Sequence, residues 1–329
     1  MPRPKLWLRY PKTQTVVLEN YDDFWRFVCE RQLIWHRRFV LKQPPPWTTN
    51  KWLRDYKFTN VYRELDRGSI WLRNHVISYW NPSKPIAANQ ANLVWRIVLY
   101  RLLNRVGTFE KVGIPNFWEW PSEGGEWISS LRALHRKECI FTSAHLTLPT
   151  HKEGKSKLTT YREALQDLFE KLLTLYERIC QADSLEQVFN ILLDIHCVGP
   201  FISYEVCIDL MYANLIPFTE NDWANAGPGC RKGIALLFPQ SFWKKRFLEA
   251  MRDLQREQQQ QFLRLGLDFP YYQGKLLSLR NIEHSLCEYS KYWSLQRGVG
   301  KVRQRFQPKS SHLLYTAQGQ IPLFQKESL

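Results

Sequence analysis

The chain has 329 residues, 44% of them hydrophobic and 23% charged, which is too apolar for a disordered polymer and long enough to bury a substantial core. Subtracting 31 Asp and Glu from 46 Lys and Arg leaves +15, a balance that favours polyanions through attraction to phosphates and release of their counterions. No segment approaches the roughly 20 uninterrupted apolar residues of a membrane span, since the best stretch, 201–218, carries Glu205 and Asp209.

Met1-Pro2-Arg3-Pro4-Lys5 lacks the apolar segment of a secretory leader, so a cytoplasmic monomer with no membrane partner is expected. Asn20 or Asp22 caps a helix expected to run to about Leu41, where Pro44-Pro45-Pro46 ends it. A second helix is predicted over Thr59 to Ile77, and a third over Asn89 to Val106, with Leu93, Ile97, Tyr100 and Leu103 on one stripe and Gly107 at its end. Ser122 to Glu138 reads as helix, Ile140 to Leu148 as a short strand or extended loop, and Thr150 to Lys157 as a polar loop. Helices then follow at about 159–181, 184–195, 200–213, 229–237, 240–264 and 278–296, broken at Pro270 to Gly274. The fold class is mainly α, divided into an N-terminal helical part (1–150), a second part (151–296) and a basic tail (297–329) that carries Lys301, Arg303, Arg305 and Lys309. Gln258 to Gln261 is too short to form a low-complexity domain.

Seven cysteines (Cys29, Cys139, Cys180, Cys197, Cys207, Cys230, Cys287) are scattered without a CxxC pair. That spacing argues against structural zinc and iron–sulfur clusters, and the thiols read as small buried side chains. No metal or cofactor is expected.

The most informative segment runs from Ile195 to Ser203, where a short turn containing Val198, Gly199 and Pro200 joins two predicted helices. Proline suits the first turn of a helix, and glycine permits a tight, positive-φ turn and close backbone approach. The following helix N-terminus offers N–H groups to an anion such as a DNA phosphate; a plain helical hairpin packed in the core is the alternative. Asp222 lies 23 residues after Gly199 and is followed by Trp223, Ala224 and Asn225. It reads either as a helix N-cap or as a carboxylate for chemistry. Gly227, Gly229, Arg231 and Lys232 form a second helix start suited to a DNA backbone, or an ordinary turn.

A helix-hairpin-helix element followed one helix and one loop later by an aspartate resembles the helix-hairpin-helix DNA glycosylase superfamily. That resemblance implies a glycosylase-like helical fold with an N-terminal helical extension. It also implies a hairpin that grips the backbone and an Asp222 that stabilises an oxocarbenium-like state and activates water. Cys197 stands where the hairpin's first glycine is usual. Phe201 stands where bifunctional members carry their lysine, so the resemblance implies a monofunctional enzyme.

The second constellation is Phe58 to Arg67: on the predicted helix Asn60, Arg63, Glu64 and Arg67 share a face, with Asp66 beside them. Alone this reads as a solvated, salt-bridged face. Together with Asp222-Trp223-Ala224-Asn225-Ala226-Gly227-Pro228-Gly229 and Phe141-Thr142-Ser143-Ala144, it resembles the α-glutamyl/putrescinyl-thymine pyrophosphorylase family, over roughly residues 20–295. The helical domain of that family is shared with hydroxymethyluridine DNA kinases, and its bacterial members include an anti-phage glycosylase that removes α-glucosylated hydroxymethylcytosine.

The resemblance implies excision of a flipped, hypermodified base from double-stranded phage DNA, which leaves an abasic site as anti-phage defence. Asn60, Arg63, Glu64, Asp66, Trp223 and Asn225 would line the base and sugar pocket, and Trp71 or Trp223 would stack there. Val198, Gly199, Pro200, Gly229, Arg231 and Lys232 would hold the backbone. Two alternatives stay open: a pyrophosphorylase or transferase acting on modified thymine or hydroxymethylated bases, and a non-catalytic DNA-binding module. Gly298-Val299-Gly300-Lys301 lacks the remaining residues of a phosphate loop.

Overall fold

The computed structural model describes residues 18–120, 125–143, 147–148, 156–239, 246–299 and 304–306. Met1 to Lys5, the helix start at Ser122, Ala144, most of the loop 150–157, the start of the helix expected from 240, and Lys301, Arg303 and Lys309 lie outside them. The structure is mainly helical, with 12 α-helices and no strand among the described residues. In chain order, α1 (Leu18–Trp35) and α2 (Lys51–Asp55) come first. They are followed by α3 (Arg67–Leu72), α4 (Ile86–Leu103), α5 (Val106–Val112), α6 (Gly125–His135), α7 (Lys157–Cys180), α8 (Leu185–Leu192) and α9 (Pro200–Tyr212). Last are α10 (Pro228–Leu237), α11 (Phe247–Arg264) and α12 (Leu279–Gln296). The helices group into two compact units, 1–63 with 226–329 and 64–225. The boundary expected near residue 150 falls within the range of the second unit.

In the first unit α1 ends at Trp35 and continues as a π-turn, His36–Val40, rather than as regular helix to Leu41. Its aromatic face packs edge-on: Trp25 meets Phe262 at 5.2 Å and Phe24 meets Tyr289 at 5.5 Å, the offset geometry that ring quadrupoles favour. Helices α10 and α12 approach closely because Gly229 and Gly233, one turn apart on α10, have no side chain. A Cβ on Gly229 would collide with Cys287 Sγ, and one on Gly233 with the carbonyl of Leu286. Gln258, fully buried on α11, donates to the Leu277 carbonyl (3.0 Å) and accepts from the Leu277 N–H (2.7 Å). That pairing satisfies a buried backbone pair just before Ser278, the N-cap of α12. Residues 304–306 return to α2, with Phe306 N–H donating to Asp55 O (2.9 Å) and Tyr56 bridging Arg305.

The second unit is built around α4, which is buried on nearly every side and packs against α7 and α9. Its internal arginines are fully engaged. Arg96 donates to the carbonyls of His75, Val76 and Ile114 and to Asn116 Oδ1. Arg101 forms ion pairs with Glu205 (3.0 Å) and Asp209 of α9. Helix α4 stops at Asn104 in the left-handed conformation (φ 48°), while Gly107, expected to end it, lies inside α5. The strand considered over Ile140 to Leu148 is not present in the described part of that segment.

Candidate nucleic-acid interface

In the second unit α8 and α9 form a helical pair. Ser184 caps α8 through the Gln187 N–H (3.2 Å), and Pro200 opens α9 after Gly199 at its N-cap. The turn is closed by Val198 N–H to Ile195 O (3.0 Å). The positive φ expected at Gly199 falls instead on Cys197 (φ 62°), while Gly199 is extended (φ −94°). A Cβ at Gly199 would meet nothing within 4 Å, so the backbone there is open to approach. Phe201, on the first turn of α9, is 43% exposed. The backbone N–H of His196 donates to Asp167 Oδ2 (2.7 Å), which fixes the turn on α7.

Asp222 is exposed and closes a turn, accepting from the Thr219 N–H (2.7 Å). It is not the N-cap of α10; that position is Gly227. Trp223 wedges between Phe189 of α8 (5.0 Å) and Tyr204 of α9 (5.7 Å), and Asn225 donates to Pro200 O at 3.5 Å. Asp222 to Asn225 is thereby laid along the α8–α9 pair. Trp71 is buried against His75 and Tyr100, so it is a packing residue and offers no ring to a base. Glu205 and Asp209 are buried with Arg101, and the guanidinium beside two carboxylates holds its proton more tightly than usual.

The single helix expected over Thr59 to Ile77 is absent. Residues 57–60 carry no regular secondary structure, Arg63–Leu65 is a 3-10 turn, and α3 begins only at Arg67. The reason lies in where the backbone groups go. Thr59 O, which would accept from Arg63 N–H in a helix, accepts from Arg31 Nε (2.9 Å). Thr59 N–H donates to Glu288 Oε2 (3.1 Å), and Arg63 N–H to Asn281 Oδ1 (3.4 Å). The expected row is therefore split. Asn60 accepts from Arg31 Nη2 (3.0 Å) and the Arg63 N–H donates to Asn281, both within the first unit, while Glu64 and Asp66 fall in the second. Glu64 O accepts from Arg73 (2.8 Å), and Asp66 is the N-cap residue of α3 without a side-chain cap bond.

Sequence reasoning missed the polar face of α12 that takes up these groups: Asn281, His284, Glu288 and Lys291, spaced by three and four residues. His284 hydrogen-bonds Thr59 Oγ1, and Lys291 bonds Lys57 O (2.8 Å) and Glu288 (3.0 Å). That spacing was legible as one helix face, but nothing in it named the segment it would bind. Burial pulls the Arg31 guanidinium down to about 10, against the opposing charge of Glu288.

Of the remaining expected backbone contacts, Gly229 lies in the α10–α12 contact, and the Glu283 carboxylate stands 3.9 Å from a Cβ at Gly227, beside the α10 start. Arg231 and Lys232 are exposed: Arg231 bonds Ala226 O (2.6 Å) and lies over Phe247, and Lys232 bonds Ser294 (2.7 Å). Arg297 lies over Trp293. The cysteines are free thiols and are not uniformly buried, since Cys139 and Cys180 are exposed. Among the described residues no group of three or more His, Cys, Asp or Glu is placed to hold a metal ion, and no helix is long and apolar enough to cross a membrane.

A family model described as "5-hmdU DNA kinase, helical domain" matches residues 18–299. The chain belongs to this family. It is also similar to the 5-hmdU DNA kinase of Bacillus phage SP10, 29% identical over 313 residues that cover 89% of this chain and 48% of the relative. The chain thus spans about half the length of the curated relative that it matches. No solved structure matches it. These findings correct the expectation of a DNA glycosylase: both names are those of a kinase, a transferase rather than a hydrolase of N-glycosidic bonds, and they carry no abasic product. The likeness to hydroxymethyluridine DNA kinases is the part of the sequence reading that holds.

Proposed function

We propose that this chain is the DNA-engaging helical part of a transferase that acts on hydroxymethylated pyrimidines in double-stranded DNA. The observation that carries the reading is the family match over 18–299, together with a relative named as a 5-hmdU DNA kinase. The charge of +15 supports a polyanionic partner, since each phosphate contact releases counterions. The open backbone at Gly199 and the start of α9 suit a phosphate, with Val198 and Pro200 setting the turn. Arg231 and Lys232 are exposed and supply further cations.

Within this reading Asp222 takes a role different from water activation. Its exposed carboxylate accepts a hydrogen bond from the hydroxymethyl O–H and orients that oxygen as the nucleophile for group transfer. Asn225 acts as a nearby polar contact to the flipped base, and Asn60, Arg63, Glu64 and Asp66 are retained as candidate contacts to the nucleotide.

The test is binding of the purified chain to duplexes that differ only in one base, 5-hydroxymethyluracil or thymine. The expected result is a preference of about tenfold or more for the hydroxymethylated duplex, the scale of one charge-assisted hydrogen bond. Asp222→Asn is expected to abolish the preference while general DNA affinity remains. Equal affinity of the wild type for both duplexes would sink the reading.

A further inference from the structure

Arg38 lies on the π-turn His36–Val40 of the first unit. Its guanidinium carbon is 4.6 Å from the Phe39 ring, 4.7 Å from Trp47 and 5.8 Å from Phe306. Three elements meet there: the π-turn, the loop before α2, and the returning segment 304–306, which is held to α2 by Phe306 N–H to Asp55 O and Lys57 N–H to Gln304 O (3.2 Å). Trp47 is itself fixed, because its indole N–H donates to Gln43 O (2.7 Å).

The neighbouring Arg37 is paired, its Nη1 donating to Glu30 (2.9 Å) and Trp47 O (2.7 Å). Arg38 is not. Among the described residues it has no ion pair and no hydrogen-bond acceptor, and its Nε is shielded from solvent without a partner. Burial alone depresses its proton affinity, with no carboxylate acting against it. Three aromatic rings stabilise a cation by dispersion and quadrupole attraction, but they offer no lone-pair acceptor to the guanidinium N–H groups. A half-buried, immobilised, planar donor set with no counter-ion is built for an oxyanion that it can grip in two-point fashion.

We propose that Arg38, caged by Phe39, Trp47 and Phe306, is a phosphate-binding residue of this protein. The phosphate comes either from the DNA backbone or from a nucleoside triphosphate donor, the two sources that a DNA-directed transferase brings together. The proposal rests on the transferase reading above. It gives the returning segment 304–306 a purpose, since Phe306 supplies the third wall of the cage. It also adds a contact in a segment that neither the hairpin nor the Asp222 loop reaches in sequence.

The test measures affinity of the full chain for a duplex and, separately, for ATP, across a salt series, with Arg38→Gln, Arg38→Lys and the exposed Arg132→Gln as a control. If the phosphate belongs to DNA, Arg38→Gln weakens duplex binding by about tenfold irrespective of sequence and lowers the salt slope by about one. Arg38→Lys keeps the slope but loses part of the affinity. If it belongs to the nucleotide, the loss appears in the ATP arm alone.

Should Arg38→Gln misfold, phenylglyoxal modification of the wild type gives a second readout. Mass spectrometry would follow Arg38, and DNA or ATP should protect it. Wild-type binding with Arg38→Gln equal to it in both arms, or an Arg38 that neither ligand protects, overturns the proposal and leaves the transferase reading intact. A wild type with no affinity for DNA or ATP overturns both.

Discussion

Cys197 holds a left-handed backbone at the turn between α8 and α9, a conformation that a Cβ penalises by roughly 1 kcal/mol and glycine adopts freely. Cys197→Gly is therefore expected to leave stability unchanged or raise it by up to about 1 kcal/mol, whereas the β-branched Cys197→Val lowers it by more than that, read as a shift in urea midpoint. The Cys287 thiol gives a pH signature. Burial pushes Cys287 from its ordinary value of 9.0 up to about 12, with the Glu283 and Glu288 charges adding to the effect. A folded-state value above the unfolded one means that the contribution is intact below pH 9 and is lost as pH rises from about 9 towards about 12. Wild type is expected to lose stability more steeply across that window than Cys287→Ala, and identical alkaline profiles would refute the assignment.

At the scale of elements, the α10–α12 contact makes a sharper claim. Gly229→Ala places a methyl against the Cys287 sulfur, and Gly233→Ala places one against the Leu286 backbone. Each should destabilise by about 1–3 kcal/mol through overpacking. Only the first is relieved by a second change, because Cys287→Ala leaves its Cβ at an ordinary 3.4 Å while a backbone carbonyl has nowhere to go. Thermal melts of Gly229→Ala, Gly233→Ala, Cys287→Ala and the double variant Gly229→Ala with Cys287→Ala separate the cases.

The same contrast explains what could be read from sequence. Helices α7 to α10 and α12 were legible to within a few residues because capping serines, N1 prolines and apolar periodicity are local signals. The segment 57–77 was not. Its periodicity was helical, but Arg31, Asn281 and Glu288, all distant in sequence, claim the backbone groups a helix would use. Gly229 was read as a place for DNA to approach; it lies instead where another helix approaches. For the site, Trp223 and Asn225 lie together on the α8–α9 pair, whereas the row from Asn60 to Asp66 is divided between the two units.

At the scale of the whole molecule, the second unit is one uninterrupted stretch, 64–225, while the first takes residues from both sides of it. Expressed alone, 64–225 is expected to unfold cooperatively as a helical protein, with α4 surrounded by its own partners. Residues 226–329 expressed alone lack the Trp25 and Phe24 face of α1 and are expected to give a broad, poorly cooperative transition in calorimetry.

The discontinuity also sets an order of events during synthesis. Helix α1 leaves the ribosome with Phe24 and Trp25 and without Phe262 and Tyr289, the rings they pack against. At about 5–20 residues per second, that wait lasts on the order of ten seconds or more, during which the second unit can complete itself. A nascent chain therefore carries α1 with its aromatic face uncovered until α11 and α12 have been made. Its yield in a cell should then depend on elongation rate and on chaperones that hold such surfaces, more than its final stability would suggest.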